Sequence, residues 1–407
     1  MVTSNPSKLS TSPHSGSGLS ELVVEASSDW FSPLGRVPLV TDRVRTAGTL
    51  RELPGFFASL GKALVGEDDL DERLYPWRVA PALIAVDRGR VLVDDSLVPL
   101  DLAQSMALHR QAVLAYTSAE DVTRPSLIFA GTRVVELPEG TAPAPCPAPG
   151  EQPVLALVGE FADFLDFGVD PLNLQGFENQ EQTVADVLAA RTGGSWLGLR
   201  DVVAHGFVGP GDRSSWGEVL AAAGALTAWH ESSGFDERTG APTYVVRGGW
   251  VRVTDGGREL FPRTDPAVIT AVTATVDGVP KILLGQARAW GKGRYSTFAG
   301  FVDAGESLEG AVLREVYEEC GGLVMSQRYL GSQPWPFPRS LMCGFLAEIS
   351  NPEAVEADGA EIEEIRWFTR EELVEAHRSQ EVQLPGQASI SRRLIEYWLG
   401  GPLGIGE

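Results

Sequence analysis

The sequence predicts an α/β (α+β) protein in three parts: an N-terminal α/β domain, a small ribbon-like β connector, and a C-terminal domain in which strands surround an acid-lined helix. Three observations carry this prediction. Pairs of β-prone runs recur about short turns. A stretch of strong helix formers at 218–230 separates the first pair from the later ones. Near the C-terminus a glycine-bounded loop runs into a helical pattern whose glutamates fall on one face.

The first pair of runs, 80–86 and 90–93, is joined through Asp87-Arg88-Gly89 and reads as a hairpin. The segment 136–153, ELPEGTAPAPCPAPGEQP, is too rich in Pro and Ala for a packed element and reads as an exposed loop or linker. EVLAAAGALTAWH, at 218–230, contains no proline and should be a helix leading out of the N-terminal domain. In the connector, 244–246 and 250–253 flank Arg247-Gly248-Gly249 as a second hairpin. The runs 267–275 and 281–285, about the turn Asp277-Gly278-Val279-Pro280, open the C-terminal domain. The expected boundaries are a serine-rich disordered tail at 1–20, the N-terminal domain at 21–226, the connector at 227–264, the catalytic domain at 265–400 and a short tail at 401–407.

Composition limits the function. The chain is 43% hydrophobic and 22% charged, which supports globular cores. Lys and Arg total 33 against 55 Asp and Glu, a formal charge of -22, so most of the surface repels phosphate backbones and a long nucleic-acid footprint is not expected. A single phosphorylated end or a free dinucleotide stays open, because a bound cation reverses the local field. Cys146, Cys320 and Cys343 form no CxxC pair, which argues against a disulfide framework and fits a reducing cytosol. No apolar run reaches the roughly 20 residues of a membrane-spanning helix. A cytoplasmic protein is expected.

The stretch GFVDAGESLEGAVLREVYEECGG, at 300–322, holds the chemistry. Ser307 is a natural N-cap, Leu308, Ala311, Val312 and Val316 recur at core spacing, and Gly321-Gly322 should end the helix. Glu315, Glu318 and Glu319 then lie at i, i+3 and i+4, their carboxylates within reach of one centre. Like charges so placed need a counter-charge, and oxygen-only ligands suit Mg²⁺ or Mn²⁺. A solvated acidic face is the plainer reading of three glutamates alone. The loop context changes the odds, because the whole pattern is G-x5-E-x7-R-E-V-x-E-E-x-G, carried by Gly300, Glu306, Arg314, Glu315, Val316, Glu318, Glu319 and Gly321.

This pattern resembles the Nudix box. Further along, SQPWPFPRS at 332–340 resembles the SQPWPFPxS motif of NADH pyrophosphatases, including bacterial enzymes that remove NAD caps from RNA. GRYSTFAGFVDAGES, SISRRLIEYW, SWLGLRDVV and LTAWH look like the same family, densely from about 194 to 399. The resemblance implies a C-terminal α/β/α sandwich with a mixed sheet. It also implies two to three Mg²⁺ or Mn²⁺ held by Glu315, Glu318, Glu319, Glu361 and the carbonyl of Ala299, with Glu318 binding metal or handling a proton. Glu306 and Arg314 would hold the loop against the helix. Phe261, Phe301, Gln333, Pro334, Trp335, Pro336, Phe337, Pro338, Arg339, Ser340 and Ser391 would line the substrate site. The expected reaction is hydrolysis of NADH or NAD⁺ to AMP and the nicotinamide mononucleotide, with an NAD-capped RNA 5′ end as a further partner and a homodimer as the assembly. Hydrolysis of another nucleotide diphosphate such as ADP-ribose, or dinucleotide sensing without turnover, are the rival readings.

From the residues themselves, Pro334, Pro336 and Pro338 should stiffen an extended course with Trp335 and Phe337 on one side, suited to stacking on a flat ring, and Gln333 offers a donor and an acceptor together. A loop wrapping the core or a partner-binding motif are the other readings of this run. Two departures from the family stand out. Gly322 replaces an aliphatic residue, which should loosen the packing of the helix. Relatives often carry a zinc ribbon, whereas Asp236, Thr239, Val253 and Gly256 stand at its ligand positions, so no structural zinc is expected and packing should hold the connector. His230 reads as a packed connector residue rather than a catalyst.

Overall fold

In the computed structural model, the described residues are 44–45, 48–67, most of 69–105 with 108 and 113, 127–134, 151–158, 183–206 and 213–403. The N-terminal elements are β1 (Val44–Arg45), α1 (Gly48–Arg51), α2 (Phe56–Leu64), β2 (Ala82–Asp87), β3 (Arg90–Val93), α3 (Leu102–Ser105), β4 (Leu127–Val134), β5 (Glu151–Val158), α4 (Val184–Thr192), β6 (Ser195–Gly198), α5 (Leu199–Gly206) and α6 (Arg213–Ser232). Positive φ at Arg88 and Gly89 gives the turn that closes the β2–β3 hairpin. The six strands run in the order β1-β4-β5-β2-β3-β6, with β2 and β5 parallel. Strand β2 is buried along its whole length, because its side chains alternate between two cores. Leu83 and Ala85 join Phe56, Leu60 and Leu188 on one face, while Ala82, Ile84 and Val86 join Val202, Val219 and Leu220 on the other. The loop expected at 136–153 ends earlier, since Glu151 to Pro153 already pair with β4; 136–150 and the tail at 1–20 fall outside the described residues.

The connector is a three-stranded antiparallel sheet of β7 (Thr243–Val246), β8 (Val251–Thr254) and β9 (Glu259–Leu260). Polar pairing as well as packing holds it. Arg252 is fully buried and donates to Thr243 Oγ1 at 2.7 Å, to the Thr243 carbonyl at 3.0 Å and to His230 Nδ1 at 3.0 Å. A guanidinium cannot accept, so His230 Nδ1 is the acceptor and its Nε2–H donates to the Gly249 carbonyl at 2.8 Å. Burial, with the Arg252 charge second, pushes the imidazole from its ordinary 6.5 down to about 3. Asp236 is buried and ion-paired with Arg258, which joins the loop before β7 to the turn between β8 and β9.

The C-terminal sheet contains β10 (Asp265–Val276), β11 (Val279–Ala287), β12 (Phe298–Phe301), β13 (Val324–Trp335), β14 (Ser340–Ile349) and β15 (Ile362–Phe368). Its order is β13-β14-β10-β11-β15, with β12 also on β10 and the β10–β14 pair parallel. The helices are α7 (Leu308–Cys320), α8 (Arg370–Arg378) and α9 (Ile390–Leu399). Strand periodicity sets the layers. Val268, Val272 and Ala274 pack against Ala311, Val312 and Val316 of α7, whereas Ile269 and Ala271 pack with Leu373, Leu394 and Ile395 of α8 and α9. The result is the expected α/β/α sandwich with a mixed sheet.

Two sequence expectations need correction. A Cβ on Gly322 would lie 2.9 Å from Val316 Cγ1 and 3.2 Å from Ile349 Cγ2, so the neighbours close over the glycine and the helix end is tightly packed rather than loosened. The tail expected from 401 is anchored over its described part, 401–403, because Leu403 is buried and its carbonyl accepts from Arg392 Nη2 at 3.2 Å.

The neutral state of His230 has a measurable consequence. An imidazole whose folded pKa lies below its unfolded value contributes fully above about 6.5 and loses that contribution as pH falls toward 3, by at most about 1.4 kcal/mol per pH unit. Thermal melts should therefore show His230→Gln less stable than wild type at pH 7, with the gap narrowing by pH 5. A gap that widens on acidification would contradict the assignment.

Candidate active site

Three local devices place the carboxylates. Ser307 caps α7 by accepting from Gly310 N–H at 3.0 Å, and Gly321 ends the helix in the left-handed conformation. Pairing of β12 with β10 sets Ala299 and Gly300 beside the helix. At Gly300 a Cβ would lie 1.9 Å from Glu315 Oε1, the end of a flexible side chain, so a larger residue there would push that carboxylate aside. The loop between β12 and α7 is closed by Arg314, whose Nε and Nη2 donate to Glu306 Oε1 and Oε2 at 3.0 and 2.8 Å, and whose Nη2 also donates to the Phe301 carbonyl at 2.8 Å. Glu306 turns back to accept from Asp303 N–H at 3.0 Å. The Arg314 pairing, with the Asp303 N–H after it, holds the Glu306 carboxyl below the usual carboxylate range.

The same guanidinium reaches the helix glutamates, with Nη1 donating to Glu315 at 2.7 Å and to Glu318 at 3.0 Å. Glu319 lies deeper, 6% exposed, and accepts from Ala299 N–H at 3.1 Å. Burial, followed by the charge of Glu315 and then Glu361 and Asp358, pushes its carboxyl up to about 8. Burial also raises Glu315, against the pull of Arg314. Among the described residues no three acidic, His or Cys side chains are grouped closely enough to hold a metal ion, and Glu315 and Glu318 are paired with Arg314. A buried carboxylate ringed by others, with oxygen donors only, nevertheless fits a hard divalent cation, which would supply the missing positive charge.

Glu361, immediately before β15, is near enough for its charge to raise the Glu315 and Glu319 carboxyls. Asp358 was not singled out in the sequence. It accepts from Glu361 N–H at 3.0 Å and Ile362 N–H at 2.8 Å, fixing the turn that delivers Glu361. The Asp358-Gly359 pair ahead of a strand was the available signal.

The aromatic segment differs from expectation. Strand β13 ends at Trp335 and the chain turns back, with Trp335 paired to Ser340 of β14, so the extended course does not continue through Phe337. The turn still brings the two rings edge to face, 5.1 Å apart. Both are half-buried and pack on the apolar cluster of the N-terminal domain, with the Arg200 guanidinium 5.7 Å from the Trp335 centroid. Core wrapping is thus part of what this segment does. Gln333 is 1% exposed, and both ends of its amide are engaged: Nε2 donates to the Ala388 carbonyl and Oε1 accepts from Ile390 N–H, each at 2.9 Å. It pins the start of α9 rather than offering those groups to a ligand. Ser391 is likewise buried, its Oγ 2.8 Å from Ser296 Oγ and 2.7 Å from Thr297 Oγ1. Pro334 is half-buried, Pro336 buried and Pro338 exposed, and Arg339 pairs with Asp265 at 2.7 Å. Phe261 and Phe301 are solvent-exposed.

A carboxylate helix laid across a mixed sheet, with its loop locked by an arginine fork, defines the class. Residues 264–388 match the model of the NUDIX domain, and this part of the chain is a NUDIX domain. The chain is similar to the NAD-capped RNA hydrolase NudC of Mycobacterium bovis, 45% identical over 190 residues, 44% of this chain and 60% of the relative. The NudC of Mycobacterium tuberculosis is 44% identical over the same length and coverage. The human NAD-capped RNA hydrolase NUDT12 is 37% identical over 193 residues, 44% of this chain and 41% of that one. The chain thus spans about three fifths of the length of the NudC relatives it matches.

The close approach at Gly300 provides a direct check. Gly300→Ala should push the flexible Glu315 carboxylate aside, weakening Mn²⁺ binding about tenfold while changing stability by less than about 1 kcal/mol. Titration with Mn²⁺ beside a urea melt would report both; wild-type metal affinity would show that the Glu315 carboxylate does not rest against this backbone.

Proposed function

We propose that this protein hydrolyses the pyrophosphate bond of NADH or NAD⁺ to AMP and the nicotinamide mononucleotide, and that the same site accepts the NAD cap of an RNA 5′ end. The observation that carries this is the buried Glu319 carboxylate, which accepts one backbone N–H and has carboxylates of Glu315, Glu361 and Asp358 around it. Similarity to NAD-capped RNA hydrolases supports the choice of dinucleotide.

Glu315, Glu318, Glu319, Glu361 and the Ala299 carbonyl would hold two or three Mg²⁺ or Mn²⁺, with Glu315 and Glu318 turning away from Arg314 to do so. Such ions polarise phosphoryl oxygens and make water a better nucleophile at neutral pH. Glu318 has the most exposed carboxylate of the helix set, 57% against 13% for Glu315, which supports a role in taking the proton from an attacking water. Arg314 keeps Glu306 and the Phe301 carbonyl together, so the loop facing the substrate holds its shape. Trp335 and Phe337 supply aromatic surface for the nicotinamide or adenine ring.

Glu319→Gln should lower metal-dependent turnover of NADH at least a hundredfold while melting no earlier than wild type in EDTA, since it removes a desolvated carboxyl. Chromatography of products from NADH, NAD⁺, ADP-ribose and NAD-capped RNA checks the substrate; ADP-ribose turned over best, or NADH bound without release of AMP, would replace this reading.

We also propose a homodimer formed on the outer face of α7 and the edge strand β13. Gln327 Nε2 donates to the Glu309 carbonyl at 3.2 Å and lays the strand beside the helix. Leu313, Tyr317, Met325 and Tyr329 then leave an exposed apolar surface there, with Tyr317 60% and Met325 65% exposed. Tyr317→Glu with Met325→Glu should give a monomer in light scattering after gel filtration. An unchanged dimer would place the interface elsewhere.

A further inference from the structure

In a chain of charge -22, the turn between β11 and β12 is conspicuous: 288–294 reads RAWGKGR, three cations and no acid in seven residues. Arg288, Trp290, Lys292 and Arg294 are all exposed, and among the described residues none of the three cations is ion-paired with a carboxylate. The turn is well braced. Gln286 Oε1 accepts from Gly293 N–H at 2.7 Å, and the Gly293 carbonyl accepts from Gln383 N–H at 2.7 Å. It also abuts the carboxylate cluster, because Arg288 N–H donates to the carbonyl of Glu361 at 2.8 Å and Arg288 Nη1 to that of Gly359 at 2.9 Å. The Arg294 guanidinium stands 5.0 Å from the Trp290 ring centroid, while the indole keeps 36% of its surface exposed.

We propose that this turn binds the single-stranded RNA that follows an NAD cap, with Lys292 and Arg294 on its phosphates and Trp290 stacking on a base. The inference rests on the cap-removal reading above and adds to it the place where the strand leaves the site. A cationic, aromatic, rigid turn is the combination that single strands recognise without regard to sequence: phosphates are drawn by unpaired cations, and a flat ring accepts any base. Its location matters equally. Elsewhere the acidic surface repels the strand, so a basic turn whose base is hydrogen-bonded to Glu361 sets the direction in which RNA can run. A free dinucleotide has no phosphate beyond the cleaved pair and would not need these side chains.

Two readouts separate this proposal from the reading beneath it. The first is binding of a fluorescent NAD-capped RNA of about 20 nucleotides, measured by anisotropy in EDTA across a salt series. Lys292→Gln with Arg294→Gln should weaken binding about tenfold at low salt and reduce the slope of log affinity against log salt by about 1.4, near 0.7 for each phosphate that is no longer neutralised. Trp290→Ala should weaken binding at least fivefold with little change in slope. The second is turnover: the charge variant should keep kcat/KM for NADH within twofold of wild type while losing most of it for the capped RNA. Unchanged affinity and slope would overturn the proposal, as would equal losses on NADH and capped RNA, which would make the turn part of the dinucleotide pocket. If wild type cleaves neither substrate, the hydrolase reading fails, and the binding series still decides whether the turn holds RNA.

Discussion

The alternation of side chains along β10 is the constraint from which the C-terminal domain follows. One set of its residues seals the sheet against α7 and the other against α8 and α9, so a one-residue slip would turn both cores inside out. Its backbone is shared as well, parallel with β14 and antiparallel with β11 and β12. Through β12 this register places Ala299 and Gly300 against the helix glutamates, and through β11 it sets β15, which starts beside Glu361. Strand pairing alone thus brings the segments of the candidate site together.

On that frame the box helix carries an electrostatic conflict. Glu315, Glu318 and Glu319 share one face, and Arg314 relieves only part of the repulsion because its guanidinium also serves Glu306 and the Phe301 carbonyl. What is left is concentrated on Glu319, which is buried and faces further carboxylates from the β15 turn. Removal of charge from water is expensive unless a counter-charge is present, and a fold that retains such a group has stability set aside for binding.

The connector and the aromatic segment show a different use of buried polarity. Arg252 and His230 satisfy each other and the surrounding backbone, and Gln333 ties β13 to the start of α9 with both ends of its amide. Trp335 and Phe337, half-buried against the N-terminal domain, link the sequence segment that resembles a substrate motif to the packing between the two sheets. The N-terminal core thereby packs directly against this segment.

Local spacing made much of this legible. Ser307, the apolar residues of α7, the Gly321 stop and the i, i+3, i+4 glutamates all act within a few residues of one another, and the hairpins followed from their turns, so pattern alone determined them. The Arg314–Glu306 fork, eight residues apart, was implied by the family resemblance and agrees with the forked geometry of a guanidinium. Pairings between distant segments were decided only by the tertiary structure. Gln333 and Ile390 are 57 residues apart, Ser391 and Ser296 are 95, and whether a polar side chain is offered to a ligand or committed to a backbone group depends on which strand or helix end packs over it. The same holds for Gly322, whose apparent void is filled by Val316 and Ile349, and for Asp358, whose value lies in the two N–H groups it orients. Residue type and spacing therefore determined the chemistry the chain can offer, while burial, which no local pattern contains, decided which of those groups remain free to use it.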